Sequence, residues 1–129
     1  MANKLADKVF VIPTPLDSNF FKAWLEFAKP LHKLSSTEMR VLAEFLKIRH
    51  DLSYKILDEE LLDKNTFSND NKNLVKGICE LKTAHYQAIM TALRKKGIIK
   101  NDTIHPKLLP IIQEGSDSFK LMILFKFNG

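Results

Sequence analysis

The polar residues of this chain are open to two kinds of chemistry, catalysis and charge recognition, and their spacing favours the second. The four histidines, His32, His50, His85 and His105, lie far apart and share no metal-ligand spacing with Cys79, the one cysteine. They read as surface or capping residues. Cys79 adjoins Ile78 in an apolar pattern, which suits a small core residue better than a nucleophile. Asp58, Glu59 and Glu60 are consecutive, so they splay around a helix instead of facing one another as acid and base. No glycine-rich phosphate loop is present. The expectation is a non-enzymatic protein with no metal, no cofactor and no small-molecule substrate.

Charge is the more informative signal. The net charge is +5 over 129 residues, and it is unevenly spread. Residues 1–50 hold 8 Lys and Arg against 5 Asp and Glu, residues 51–80 hold 4 against 7, and residues 81–129 hold 8 against 3. The basic excess falls on the stretch that begins "LKTAHYQAIMTALRKKGIIK", as an anion-binding surface requires, although solvated lysines produce the same count. With 45% hydrophobic residues the chain has material for one core, and residues 1–129 read as a single domain. One cysteine excludes an intrachain disulfide. No apolar run approaches the roughly 18 residues of a membrane span, and the first residues lack a signal-peptide core. A soluble, cytoplasmic protein is expected, or one carried in a particle made there, such as a virion.

The elements that would position this basic stretch are legible from periodicity. "KVFVI" (residues 8–12) is a β-branched and aromatic run stopped by "PTP", and predicts a strand within an N-terminal arm of residues 1–18. Phe20, Phe21, Trp24, Leu25, Phe27 and Ala28 then fall at helical spacing, and Pro30 ends that helix. Their aromatic density reads as core. Ser35-Ser36-Thr37-Glu38 fits a capping box, with Leu34 and Met39 placed as its hydrophobic staple. The helix it opens turns Met39, Leu42, Phe45, Leu46 and Ile48 inward and runs to about His50. The acidic segment 51–70 predicts a short helix burying Ile56, Leu57, Leu61 and Leu62, followed by a cap at Ser68 or Asp70. Another short helix then buries Leu74, Val75, Ile78 and Cys79, weakened by about 1 kcal/mol at Gly77.

Thr83 is the expected cap of the next helix, whose apolar positions Tyr86, Ile89, Met90 and Leu93 follow i, i+3, i+4, i+7. Leu81, just before it, faces the core. Arg94, Lys95 and Lys96 fill the last turn, where cations suit the carbonyl end of the helix dipole, and Gly97 supplies the stop. A short helix, a tight turn and a longer helix ending "LRKKGII" resemble the winged helix-turn-helix superfamily. The nearest flavour is that of small regulators and of plasmid or phage replication initiators. "IKNDTIHPKLLP" followed by "SFKLMILFKF" resembles its wing. The likeness covers roughly residues 35–127, with a longer spacer than usual at 51–70.

The resemblance implies an α+β, mostly α fold with four or five helices and a small antiparallel sheet. It implies duplex DNA as the partner, with residues 83–96 in the major groove. Ala84, Gln87, Ala88, Thr91 and Lys95 would face outward, flanked by His85 and Arg94. Gln87 would read adenine and the alanines thymine methyl groups. Lys82, Arg94, Lys95, Lys96 and Lys100 would neutralise phosphates, and the loop at Lys100–Thr103 would touch the backbone. The alternative is a structural or adaptor protein, viral sources included, that uses the same fold for assembly. "FKLMILFKF" favours it: Phe119, Leu121, Ile123, Phe125 and Phe127 point one way, but Met122 and Leu124 make the other face apolar too. This strand is expected to be central, paired with "KVFVI", or covered by a partner through Leu121, Met122, Leu124 and Lys126. A homo-oligomer or larger assembly follows from that.

Overall fold

Capping side chains mark where most of the helices begin. A computed structural model describes residues 9–128. Asp17 opens α1 (Ser18–Phe27) by accepting the Asn19 amide at 2.8 Å. Ala28 closes it, and Pro30 sits in the first turn of the four-residue α2 (Lys29–His32). Ser35 and Glu38 form the expected capping box at the start of α3 (Ser36–Ser53). The Ser35 hydroxyl accepts from the Glu38 amide, and a Glu38 carboxylate oxygen accepts from the Ser35 amide at 2.9 Å. Asp58 caps α4 (Glu59–Thr66), and Ser68 caps α5 (Asn69–Ile78). A two-stranded antiparallel sheet, β1 (Ile99–Lys100) and β2 (Thr103–Ile104), follows α6 (Thr83–Lys95), and a 3-10 turn spans Pro106–Leu108.

The centre of the fold is α3, which contacts α1, α4, α5 and α6. Val41, Leu42, Ala43, Glu44, Phe45 and Leu46 are all buried, so α3 is enclosed by neighbours nearly all round here. The one charge in that run, Glu44, accepts the Ser18 hydroxyl at 3.0 Å. Phe21 and Leu25 reach it from α1, Val75 and Cys79 from the α5 end, and Met90 and Leu93 from α6. Ile99, Ile104 and Leu108 close the same core below the hairpin. Each such side chain contributes about 1.5–3 kcal/mol by leaving water. Trp24 ties α1 to the 3-10 turn, donating its indole N–H to the Leu108 carbonyl at 2.9 Å. Phe119 packs edge-on against both Trp24 and Phe20.

Several expectations are corrected. Residues 9–12 form no strand and are exposed, with Lys8 outside the described residues. No strand forms in residues 119–127 either, so neither run pairs with the other among the described residues. A strand needs a partner of matching register, and β-propensity within one segment does not supply it. Among the described residues six helices form instead of four or five, because residues 29–32 close a turn of their own. Phe27, Leu57, Leu61, Leu74 and Ile78 are exposed, and Ile56 is only half-buried. Short helices lying on one neighbour bury a single row, here Leu62 and Thr66 on α4 and Val75 on α5. His32 is buried, not at the surface. Its Nδ1 accepts the Leu34 amide at 2.9 Å, which leaves Nε2 to donate to the Leu25 carbonyl at 2.7 Å. His50 is half-buried against Phe21 and Tyr54, and burial pulls its pKa down.

Candidate nucleic-acid interface

The helix α6 is amphipathic as its spacing predicts. Tyr86, Ile89, Met90 and Leu93 are buried, while Ala84, Gln87, Ala88, Thr91 and Lys95 are exposed along one stripe, with His85 and Arg94 exposed beside it. Between Leu81 and Asn101 the sequence contains no acidic residue. Small side chains at Ala84 and Ala88 keep the stripe low, so a partner surface can approach the helix closely.

Residues 79–82 join α5 to α6. Cys79 caps α5, and Glu80 takes the left-handed conformation at φ 54° that glycine adopts most easily. The Glu80 and Leu81 amides then return to the carbonyls of Gly77 and Lys76, each at 3.0 Å. Leu81 is half-buried against the core, anchoring the turn. Arg40 of α3 braces the turn from the other side by donating to the Cys79 carbonyl at 3.2 Å. Cys79 itself is buried, and burial pushes its thiol pKa up, which leaves it poorly nucleophilic.

Thr83 is not the helix cap. Lys82 occupies that position without a side-chain cap bond, and Thr83 begins the helix proper. The Thr83 hydroxyl instead accepts from the Lys76 ammonium at 3.0 Å, across to α5. Lys72 and Lys76 of α5 face Thr83 and Gln87 of α6 over an open cleft of about 330 Å³, whose walls include Asn69 and Asn73. Tyr86 also lines this cleft, and its hydroxyl is buried with no hydrogen-bond partner among the described residues. Burial raises its pKa. Sequence reasoning missed Lys72 and Lys76. Their i, i+4 spacing on α5 was the available signal, but the α5–α6 geometry that makes it meaningful is not local.

The cations do not all remain free. Lys96 donates to Glu38 at 2.7 Å and joins the end of α6 to the start of α3. Burial acts to raise the Glu38 pKa. The bonds from Lys96 and Ser35 more than offset it, and the carboxyl is held below its ordinary value. Lys82, Arg94, Lys95 and Lys100 are exposed and enter no ion pair among the described residues.

Lys100 lies on the hairpin, where Ile99 pairs with Ile104 and Lys100 with Thr103. Asn101 and Asp102 both have positive φ, 51° and 58°, the pattern of a type I′ two-residue turn. Buried Ile99 and Ile104 pin the hairpin to the core, which leaves Lys100 and Thr103 on its exposed side. The residues expected at a protein interface, Leu121, Met122, Leu124 and Lys126, lie apart from this hairpin in sequence and are exposed.

Among the described residues, no three His, Cys, Asp or Glu side chains gather as metal ligands, and no helix is long and apolar enough to cross a membrane. No protein-family model matches the sequence, and neither a curated protein nor a solved structure matches it.

Proposed function

We propose that this chain is a winged-helix protein that binds duplex DNA through α6. The observation that carries the reading is the acid-free, small-residue face of α6, flanked by the lysines of α5 and by Lys100 on a core-anchored hairpin. In this reading α3, α5 and α6 form the helical body, residues 79–82 form the turn, and β1–β2 form a short wing. Gln87 and Thr91 meet base edges, and the Ala84 and Ala88 methyl groups suit thymine. Lys72, Lys76, Lys82, Arg94, Lys95 and Lys100 lie against phosphates. Lys96, being paired to Glu38, contributes architecture more than contact. No arginine stands in the first turn of α6 to take a guanine, so most of the affinity comes from the backbone.

The test is fluorescence anisotropy with labelled random duplex across a salt series. Four to six phosphate contacts give a slope of about −4 to −5 in log K against log salt. Reversing Lys76 and Lys95 together to glutamate is expected to weaken binding at least tenfold and to flatten the slope by about 2. The same reversal at Lys55, on the α3–α4 connection, is expected to leave the slope near its wild-type value. Undetectable binding at low salt, or a slope indifferent to Lys76 and Lys95, would overturn the proposal.

A second reading, compatible with the first, is that the chain works within a protein assembly. It is favoured by the exposed apolar run at Leu121–Phe127, which no other described part of the chain covers.

A further inference from the structure

The C-terminal run is unusual for a solvent-facing segment. Met122, Leu124, Phe125 and Phe127 are 91%, 83%, 79% and 92% exposed. Residues 119–128 donate and accept no backbone hydrogen bond among the described residues. Phe119, clasped by Phe20 and Trp24, fixes the point where the run leaves the body. Residues 119–127 contain no proline, glycine or acid, and their β-propensity is high. Unpaired donors and acceptors along such a run form a template for another strand.

The sequence itself indicates which strand. Counting outward from Ile123, Met122 mirrors Leu124, Leu121 mirrors Phe125, Lys120 mirrors Lys126, and Phe119 mirrors Phe127. We propose that residues 119–127 pair antiparallel with the same residues of a second copy, about a two-fold axis at Ile123. This rests on the assembly reading and names its partner, and it does not depend on DNA binding.

In this register every side chain meets one of its own kind. One face of the ribbon is wholly apolar, and the other has Met122 and Leu124 at its centre with lysines at both ends. A shift by one residue would turn lysines into the apolar face. A shift by two would separate the lysines but strand one phenylalanine of each copy in water. The Lys120–Lys126 contacts oppose like charges, which is a weak effect at hydrated, screened ribbon ends. Those same lysines discourage further strands from adding, so pairing stops at two. Pairing edge to edge shields these side chains only where cross-strand neighbours touch, so the apolar face of the ribbon still needs a cover. The exposed residues Val9–Ile12 of each copy are available to cover the apolar face.

The experiment combines mass measurement by light scattering with single cysteines introduced on a Cys79→Ala background. The expected result is a dimer that Leu124→Asp weakens about 100-fold while the circular dichroism spectrum is unchanged. Mild oxidation is expected to cross-link Ile123→Cys to itself. It should join Leu121→Cys to Phe125→Cys in a mixture, and neither of those to itself. Self-cross-linking at 121, 123 and 125 alike would mean parallel strands and would overturn the proposal. So would a monomer at every concentration, including one that floats with lipid vesicles through this segment. The mass of the native complex in extracts of the producing cells, with and without residues 119–129, separates the two levels. A purified monomer whose native complex needs these residues defeats self-pairing alone. A native mass indifferent to them defeats the assembly reading as well.

Discussion

The Glu38 carboxylate does two jobs, and two substitutions separate them. It accepts the Ser35 amide in the capping box and the Lys96 ammonium across 58 residues of sequence. Glutamine at 38 keeps an acceptor for Ser35 but loses the charge. Glu38 has a side-chain exposure of 10% and Lys96 of 40%, so water screens the pair on one side only. The expected loss for Glu38→Gln is therefore near the top of the surface range, about 0.5–1 kcal/mol. Glu38→Ala removes the box as well and is expected to lose about 1.5–2.5 kcal/mol in all. Urea unfolding at pH 7 reads both, and the larger loss should lower Tm by several degrees. The sign with pH is fixed by the depressed Glu38 pKa. Its stabilisation is fully present above the unfolded value of 4.5 and is lost as pH falls through the lower folded value. The Glu38→Gln curve should thus converge on wild type in acid. Because the substitution frees Lys96, DNA affinity should hold or rise while stability falls. A Glu38→Gln protein as stable as wild type at pH 7, or a gap that persists unchanged at pH 3, would refute the assignment.

Two further substitutions test the helix ends around the turn. Gly77 lies inside α5 and a Cβ there meets nothing within 4 Å, so Gly77→Ala is expected to stabilise by about 0.5–1 kcal/mol in chemical denaturation. Glu80 holds φ at 54°, where a side chain is strained, so Glu80→Gly is expected to stabilise by up to about 1 kcal/mol. Destabilisation by the latter would mean that the Glu80 side chain makes a compensating contact.

The legible parts of this fold are those set by contacts a few residues apart. The capping box at Ser35, a cap at Ser68 or Asp70 and the four buried positions of α6 all depend on such spacing and were readable. The stop at Pro30 was not, since α1 ends at Phe27 and Pro30 enters the first turn of α2 with helical Lys29 before it. What sequence patterning missed depends on partners far along the chain. Leu74 and Ile78 share an apolar row with Val75, but α5 meets α3 along a line that admits only Val75. The exposed stripe of α6 was readable, whereas the Lys72–Lys76 cleft depends on how α5 lies against α6. Lys96 looked like a free cation because nothing in its own neighbourhood points to Glu38.

The two proposed surfaces also constrain each other. A single α6 without an arginine for guanine offers few base contacts, so one copy alone would bind sequence-tolerantly and weakly. Pairing through residues 119–127 would place two such helices on one particle, and the second would bind at a high effective concentration. Its benefit depends on the linkage from Phe119 to the body, because a loosely held ribbon would let the two helices miss a common duplex. Phe119 is seated on Trp24, and Trp24 is bonded to Leu108 just beyond the hairpin that carries Lys100. The proposed dimer contact and the proposed wing thus share one rigid support. Loosening Phe119 should therefore weaken avidity for long duplexes while leaving the binding of each single copy intact.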